Sequence, residues 1–299
     1  MKKLTNILSG AAVLLTVGFG AVAQEKTDNG INPNSVRPIH ESNVMWKTTL
    51  WRRVDLNEKQ NQPFFAKNSE ITKFLMEGVK AGLLTAYNSD SLTSKLTLDQ
   101  FKQRLQVENL GGGLSDEEKK AGFSEESTDD GWGDTKPKKD DKNKSKTAAA
   151  QPAPEPATST SDVEYFPQEL NIIELKEDLV FDKQRSRMYY DIQTITIILP
   201  AAKTAKGFDV PVATFQYKEL DKYFRSNPKC VWYNSHNVAQ HKNMADAFDL
   251  RLFYGRIIKQ SNPRDQFLTD KFGSEREGLV KSQQLEYELM EFEHNLWEY

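Results

Sequence analysis

Apolar residues recur at distinct spacings along this chain, and each spacing predicts an element. Trp46, Leu50 and Val54 stand at i, i+4 and i+8, which draws one stripe on a helix. Ile71, Phe74, Leu75 and Val79 draw another, with Ser69 as the expected N-cap and Glu70 in the first turn. Thr97-Leu98-Asp99-Gln100 has the capping-box pattern, and Leu98, Phe101 and Leu105 follow on one face. The pattern then turns to strands. Residues 192–199 are dense in β-branched side chains and stop at Pro200, so a strand is expected with Ile195, Ile197 and Leu199 on one face. Shorter strands are expected at 172–175 and 180–181, and another at 210–215, where Pro211 calls for a sheet edge or a strand start. Tyr217, Leu220 and Phe224 return to helical spacing. Met244, Ala247, Phe248, Tyr254, Ile257 and Ile258 predict a longer helix that ends before Pro263. Last, Leu285, Leu289, Phe292, Leu296 and Tyr299 follow a 4-3-4-3 spacing, with Glu286, Glu288, Glu291, Glu293 and Glu298 on the other faces. That is an acidic amphipathic helix of about 33 Å, presenting its apolar seam to its own domain or to another subunit.

These elements group into an α+β protein. Residues 43–110 read as a small, mainly helical N-terminal unit, residues 163–275 as a mixed α+β domain, and residues 276–299 as the C-terminal helix. A unit of about 65 residues has a marginal core and needs support from a neighbour. Residues 111–162 read as a disordered linker: Gly111-Gly112-Gly113 opens it, a mixed charge tract follows, and Ala148 to Ala157 alternate with proline. Leu114, Phe123 and Trp132 are its only large apolar residues, too few to offset the entropy of ordering it. As a flexible coil it averages about 40 Å end to end. Residues 24–42 lack periodicity and read as an extended arm.

The first 23 residues change the picture most. Met1-Lys2-Lys3, an apolar run from Ile7 to Phe19, and Ala21-Val22-Ala23 make the pattern of a cleavable export signal, with a mature start at Gln24. The run is short for a membrane span, which needs about 20 residues. Removing the signal shifts the formal charge from −3 to −5, which argues against nucleic-acid binding, since that needs dense cationic surface. Neither direct membrane insertion nor a lipid anchor is expected, and no Cys follows the cleavage site. Cys230 is the single cysteine, so no internal disulfide forms, and its apolar setting reads as a buried, inert thiol.

The inventory of reactive groups is sparse. His236 and His241 are five apart and miss the helical zinc spacing, and one Cys cannot build a thiolate cluster. No Gly-x-Ser-x-Gly elbow or phosphate-binding loop is present. Catalytic, metal and cofactor residues are therefore expected to be none. Two constellations suit contact instead. One includes Trp51, Arg52, Arg53, Phe64 and Phe65, residue types that dominate interface hot spots. The other holds Arg185 and Arg187, which share a face if the segment is a strand and then suit carboxylates on a partner. With Leu289, Phe292 and Leu296 of the terminal helix, these are the candidate partner-interface residues.

Three long segments carry a resemblance to a known family. They are Trp51-Arg-Arg-Val-Asp-Leu-Asn-Glu-Lys-Gln-Asn-Gln-Pro-Phe-Phe65, Glu177-Asp-Leu-Val-Phe-Asp-Lys-Gln-Arg-Ser-Arg-Met-Tyr-Tyr190, and Asp246-Ala-Phe-Asp-Leu-Arg-Leu-Phe-Tyr-Gly-Arg-Ile-Ile-Lys-Gln-Ser-Asn262. Each resembles the GldN (PorN) family of the type IX secretion system. The resemblance implies a periplasmic, non-enzymatic subunit at the inner face of the outer membrane. It further implies a ring built with the outer-membrane lipoprotein GldK (PorK), self-assembly within that ring, and contact with the inner-membrane motor protein GldM (PorM). A soluble periplasmic hydrolase, or a module that binds cell wall or cargo, is the competing reading of the residues.

Overall fold

The computed structural model describes residues 29–107, 164–204 and 206–296. The expected export signal, the start of the arm, the linker and Tyr299 lie outside the described residues.

Five strands form one antiparallel sheet in the order β6-β5-β4-β1-β9. They are β1 (Val44–Asp55), β4 (Ile172–Asp182), β5 (Arg187–Leu199), β6 (Val210–Gln216) and β9 (Arg256–Gln260). Two-residue strands make two small ribbons: β2 (Phe65–Ala66) with β3 (Ser69–Glu70), and β7 (Val231–Trp232) with β8 (Lys242–Asn243). The helices are α1 (Ile71–Lys80), α2 (Leu98–Leu105), α3 (Tyr217–Ser226), α4 (Met244–Asp249), α5 (Leu268–Phe272) and α6 (Glu275–Asn295).

The α+β class holds, but the first predicted helix does not. Trp46, Leu50 and Val54 sit on β1, which pairs with β4 from Val44↔Asp182 to Asp55↔Ile172 and with β9 on its other side. A spacing of four fits period two as well as period 3.6. The N-terminal segment therefore threads the sheet between strands from the far side of the linker. Val54, Ile71, Leu75, Phe101 and Leu105 share one core cluster with Ile173, Ile195, Ile197, Phe215, Phe224 and Phe248. Burial in that common core supplies the support that a unit of 65 residues lacks by itself.

Other boundaries shift for equally local reasons. The two short strands expected at 172–175 and 180–181 are one strand, because buried Glu177 and Asp178 bridge them. The helix expected from Met244 to Ile258 stops at Asp249, and Arg256–Gln260 is the edge strand β9. Ser69 is not the N-cap of α1; Glu70 holds that position without a side-chain cap, and the Ser69 hydroxyl donates to the Val231 carbonyl at 3.0 Å. The Thr97 capping box on α2 forms, with both reciprocal bonds present. Leu98 is exposed, whereas Phe101 and Leu105 are buried. Ile195, Ile197 and Leu199 share the main core, and Pro211 lies on β6 at the sheet's edge.

Residues 29–42 run against the body: Gln216 donates to Asn34 at 2.9 Å, Arg37 pairs with Asp249 at 2.8 Å, and Val36 packs on the core. Gln106 and Glu164 form an antiparallel bridge, and the Tyr165 amide donates to the Leu105 carbonyl at 2.8 Å. The chain between them therefore leaves and re-enters at one place.

Candidate protein-interaction site

Directly paired positions share a sheet face, so Leu50–Glu177, Arg52–Leu175 and Val54–Ile173 lie together. That face carries two apolar clusters. Val54, Ile173 and Leu175 belong to the large one; Leu50, Leu179, Ile257 and Leu289 of α6 form the small one. Arg52 and Glu177 stand between them on neighbouring strands. Arg52 Nε donates to Glu177 Oε1 at 2.9 Å, and its Nη1 donates to Glu286 Oε1 of α6 at 2.6 Å and to the Gly255 carbonyl. Arg251 closes the cluster, donating from Nη1 to Glu177 Oε2 at 2.7 Å. Glu177 is fully buried, with a guanidinium on each carboxylate oxygen. Burial alone lowers the Arg52 pKa, but Glu177 and Glu286 outweigh it and hold the value above the ordinary one.

Local backbone makes this cluster possible. Arg251 follows α4 at φ 52°, in the left-handed position that glycine usually fills. Its amide donates to the Phe248 carbonyl at 3.0 Å, and the Leu252 amide to the Ala247 carbonyl at 2.9 Å, the two bonds of a Schellman motif. The side chain offsets the conformational cost through Glu177 and through the Tyr190 ring, whose centroid lies 4.0 Å from the guanidinium carbon. At Gly255 a Cβ would meet Val54 Cγ2 at 2.6 Å and Arg52 Cγ at 2.9 Å, so only glycine brings that carbonyl to Arg52.

The opposite face is polar. The pairs Arg53–Glu174, Trp51–Lys176 and Thr49–Asp178 point there. Trp51 Nε1 donates to Asp90 at 2.9 Å, and Lys259 Nζ sits 4.2 Å from the centroid of its ring. Arg53 pairs with Asp209. Between this face, the 88–90 loop, α5 and the start of α6 lies a cavity of about 650 Å³. Glu174 lines it. Burial, then the nearby Asp90 carboxylate, push the Glu174 carboxyl up to about 7, against the opposing pull of Lys259 and Arg53.

The ten sequence-predicted contact residues separate accordingly. Arg52, Phe64 and Leu289 are buried, and Phe64 packs on Phe248 with centroids 4.9 Å apart. Phe65 leans on the same core, while Trp51 and Arg53 are half-buried and engaged on the polar face. Phe292 packs on Trp46, centroids 4.8 Å apart, so the 285–292 part of the α6 seam faces its own sheet; Leu296 caps that helix, half-buried. Arg185 and Arg187 are exposed, but not along one strand: residues 183–186 are the turn of the β4–β5 hairpin, where Arg185 pairs with Asp182 at 2.8 Å. Sequence reasoning missed Glu174, Glu177, Arg251 and Glu286. Two acids, Glu177 and Asp178, between Leu175 and Leu179 were the available signal for Glu177.

This geometry holds surfaces in place; Ser42 Oγ and His40 Nδ1, 2.7 Å apart, form an exposed pair. The Cys230 thiol is buried and pushed up to about 12 by that burial, then by Glu77. His236 and His241 sit in an exposed loop. Among the described residues no group of three His, Cys, Asp or Glu is arranged to hold a metal, and no helix is long and apolar enough to cross a membrane. The family model described as gliding motility associated protein GldN matches residues 39–298. The chain belongs to the GldN family. That family places it among components of gliding motility and type IX secretion. No curated protein matches the chain. The GldN match takes in every described strand and helix, the ion cluster and the cavity alike.

Proposed function

We propose that this GldN-family protein is a periplasmic structural subunit, exported by a cleavable signal with Gln24 as its mature start. It builds a ring at the inner face of the outer membrane with the lipoprotein GldK (PorK) and contacts the inner-membrane motor protein GldM (PorM). It inserts into neither membrane and catalyses no reaction. The observation that carries this reading is the span of the family match, residues 39–298.

A ring needs two different, complementary surfaces on each subunit. Because Leu289 and Phe292 are spent on the chain's own sheet, those surfaces lie elsewhere. The hairpin tip with Arg185 and Arg187 is one. The outer side of α6 is the other: Val280, Tyr287 and Met290 stand exposed there at 51 %, 58 % and 62 %. Gln106 and Glu164, on either side of residues 108–163, form an antiparallel bridge, so the described residues before and after that segment belong to one fold.

The test is a pull-down of the full-length chain from solubilised envelope, with size analysis and partner identification. A very large, stoichiometric complex containing the lipoprotein is expected. A species near monomer mass without the lipoprotein overturns the proposal. Arg185→Ala combined with Arg187→Ala is expected to shrink that complex while leaving the monomer folded.

A further inference from the structure

We propose that the cavity on the polar sheet face receives a lysine or arginine side chain from a protein partner. The inference rests on the reading of the protein as an assembly subunit and assigns one contact within it. Three features of the cavity converge. Its volume of about 650 Å³ exceeds one long side chain. Its rim is apolar and open, with Phe267 41 % and Leu279 43 % exposed. Its floor holds Glu174, for which the described residues supply neither a hydrogen bond nor an ion pair.

The cations that act on Glu174 are paired with other acids. Arg53 is taken by Asp209, and Lys259 by Asp265 at 2.5 Å, while Lys176 lies 3.6 Å from Asp90. Glu174 also feels the Asp90 and Asp209 carboxylates, and around the cavity the acids Asp90, Glu174, Asp209 and Glu275 outnumber the lining cations Arg53 and Arg256. A lysine or arginine stem suits the apolar rim and its head suits the acid beneath, the usual division of these amphipathic side chains. An incoming cation stabilises the ionised form of Glu174. Binding is therefore tighter at pH 8 than at pH 6.

The probes are the capped tripeptide acetyl-Leu-Lys-Leu-amide, its norleucine analogue and the free diamine cadaverine, titrated into the full-length, isotope-labelled chain and followed by amide and indole NMR shifts. The lysine peptide is expected to move the amides of Glu174 and Thr196 and the Trp51 indole. The norleucine peptide and cadaverine should bind about tenfold more weakly or worse. Glu174→Gln should reduce the lysine peptide to the level of its norleucine analogue with the remaining spectrum intact. Equal binding of lysine and norleucine peptides, an unchanged affinity in the Gln variant, cadaverine binding as well as the peptide, or unmoved amides would each overturn the assignment. None of these results bears on whether the chain assembles with the lipoprotein, which the pull-down decides separately.

Discussion

Glu177 and Glu174 stand three positions apart on β4, so the strand pleat sends them to opposite faces of the sheet. On the covered face Glu177 is fully enclosed, and Arg52 and Arg251 donate to its two oxygens. On the polar face Glu174 is only partly covered, Arg53 and Lys259 pair with other acids, and its carboxyl is pushed up to about 7. Burial opposes charge at both positions, but it does not alone decide how a carboxylate fares in this molecule. The decisive quantity is how many donors the surrounding elements commit to it. The covered face spends its charges on joining two apolar clusters, and the open face leaves Glu174 without a paired cation.

Removing Glu177 breaks that comparison with the largest effect. Glu177→Gln leaves Arg52 and Arg251 facing each other with Glu286 as the remaining acid, and costs about 3–5 kcal/mol. A urea titration of the variant should show that loss as a lower midpoint. A change below about 1 kcal/mol would mean that the cluster adds nothing beyond its apolar surroundings.

The same substitution at Glu174 has the opposite sign. Its folded pKa of about 7 lies above the ordinary 4.5. Below pH 4.5 the carboxyl is neutral in both states and carries no penalty. Between pH 4.5 and about 7 the unfolded chain releases the proton that the folded state still holds, so stability falls across that window and the loss is complete above it. Glu174→Gln removes that fall. The variant should be more stable than the parent by on the order of 2 kcal/mol at pH 8 and equal to it at pH 4, read from paired urea curves at the two pH values.

The contrast between these two glutamates also marks where the sequence stops being legible. Helices α1, α2 and α3 follow from apolar periodicity, with the capping box in support at α2, and the strand β5 from its dense run of β-branched residues. β1 does not, because Arg52 and Thr48 occupy inward positions and Trp51 an outward one, which erases the alternation that identifies a half-buried strand. Likewise no Gly or Pro announces the end of α4, since Arg251 adopts the left-handed turn and the Glu177 pairing sustains it. Both misreadings have one cause. A charged side chain stands where local rules place an apolar residue or a glycine, and its partner arrives from a strand or helix far along the chain. Arg52 and Arg53 were legible as contact-prone residue types; that one of them turns inward was not, because facing depends on register with β4. The cavity at Glu174 was illegible for the same reason, as it needs β4, β6, α5 and the start of α6 assembled around it.

Glu286 supplies the finest division of the covered face. It is the one member of the ion cluster that α6 contributes, and its side chain is 28 % exposed, against 0 % for Glu177. Water already screens part of its charge, and Arg52 keeps Glu177 and the Gly255 carbonyl when Glu286 is neutralised. Glu286→Gln should therefore cost about 1 kcal/mol of global stability, a fraction of the Glu177→Gln effect. Its local consequence differs, because Arg52–Glu286 is the ionic contact that α6 makes with β1, beside the packing of Leu289 and of Phe292 on Trp46. If the ion pair anchors the helix, amide exchange should accelerate along α6 and stay unchanged in β4 and β5. If apolar packing alone anchors it, exchange in α6 should match the parent, and Phe292→Ala should release the helix instead. The two outcomes assign the seating of α6 to charge or to packing, which decides whether the exposed Tyr287 and Met290 are held rigidly enough to serve as a contact surface.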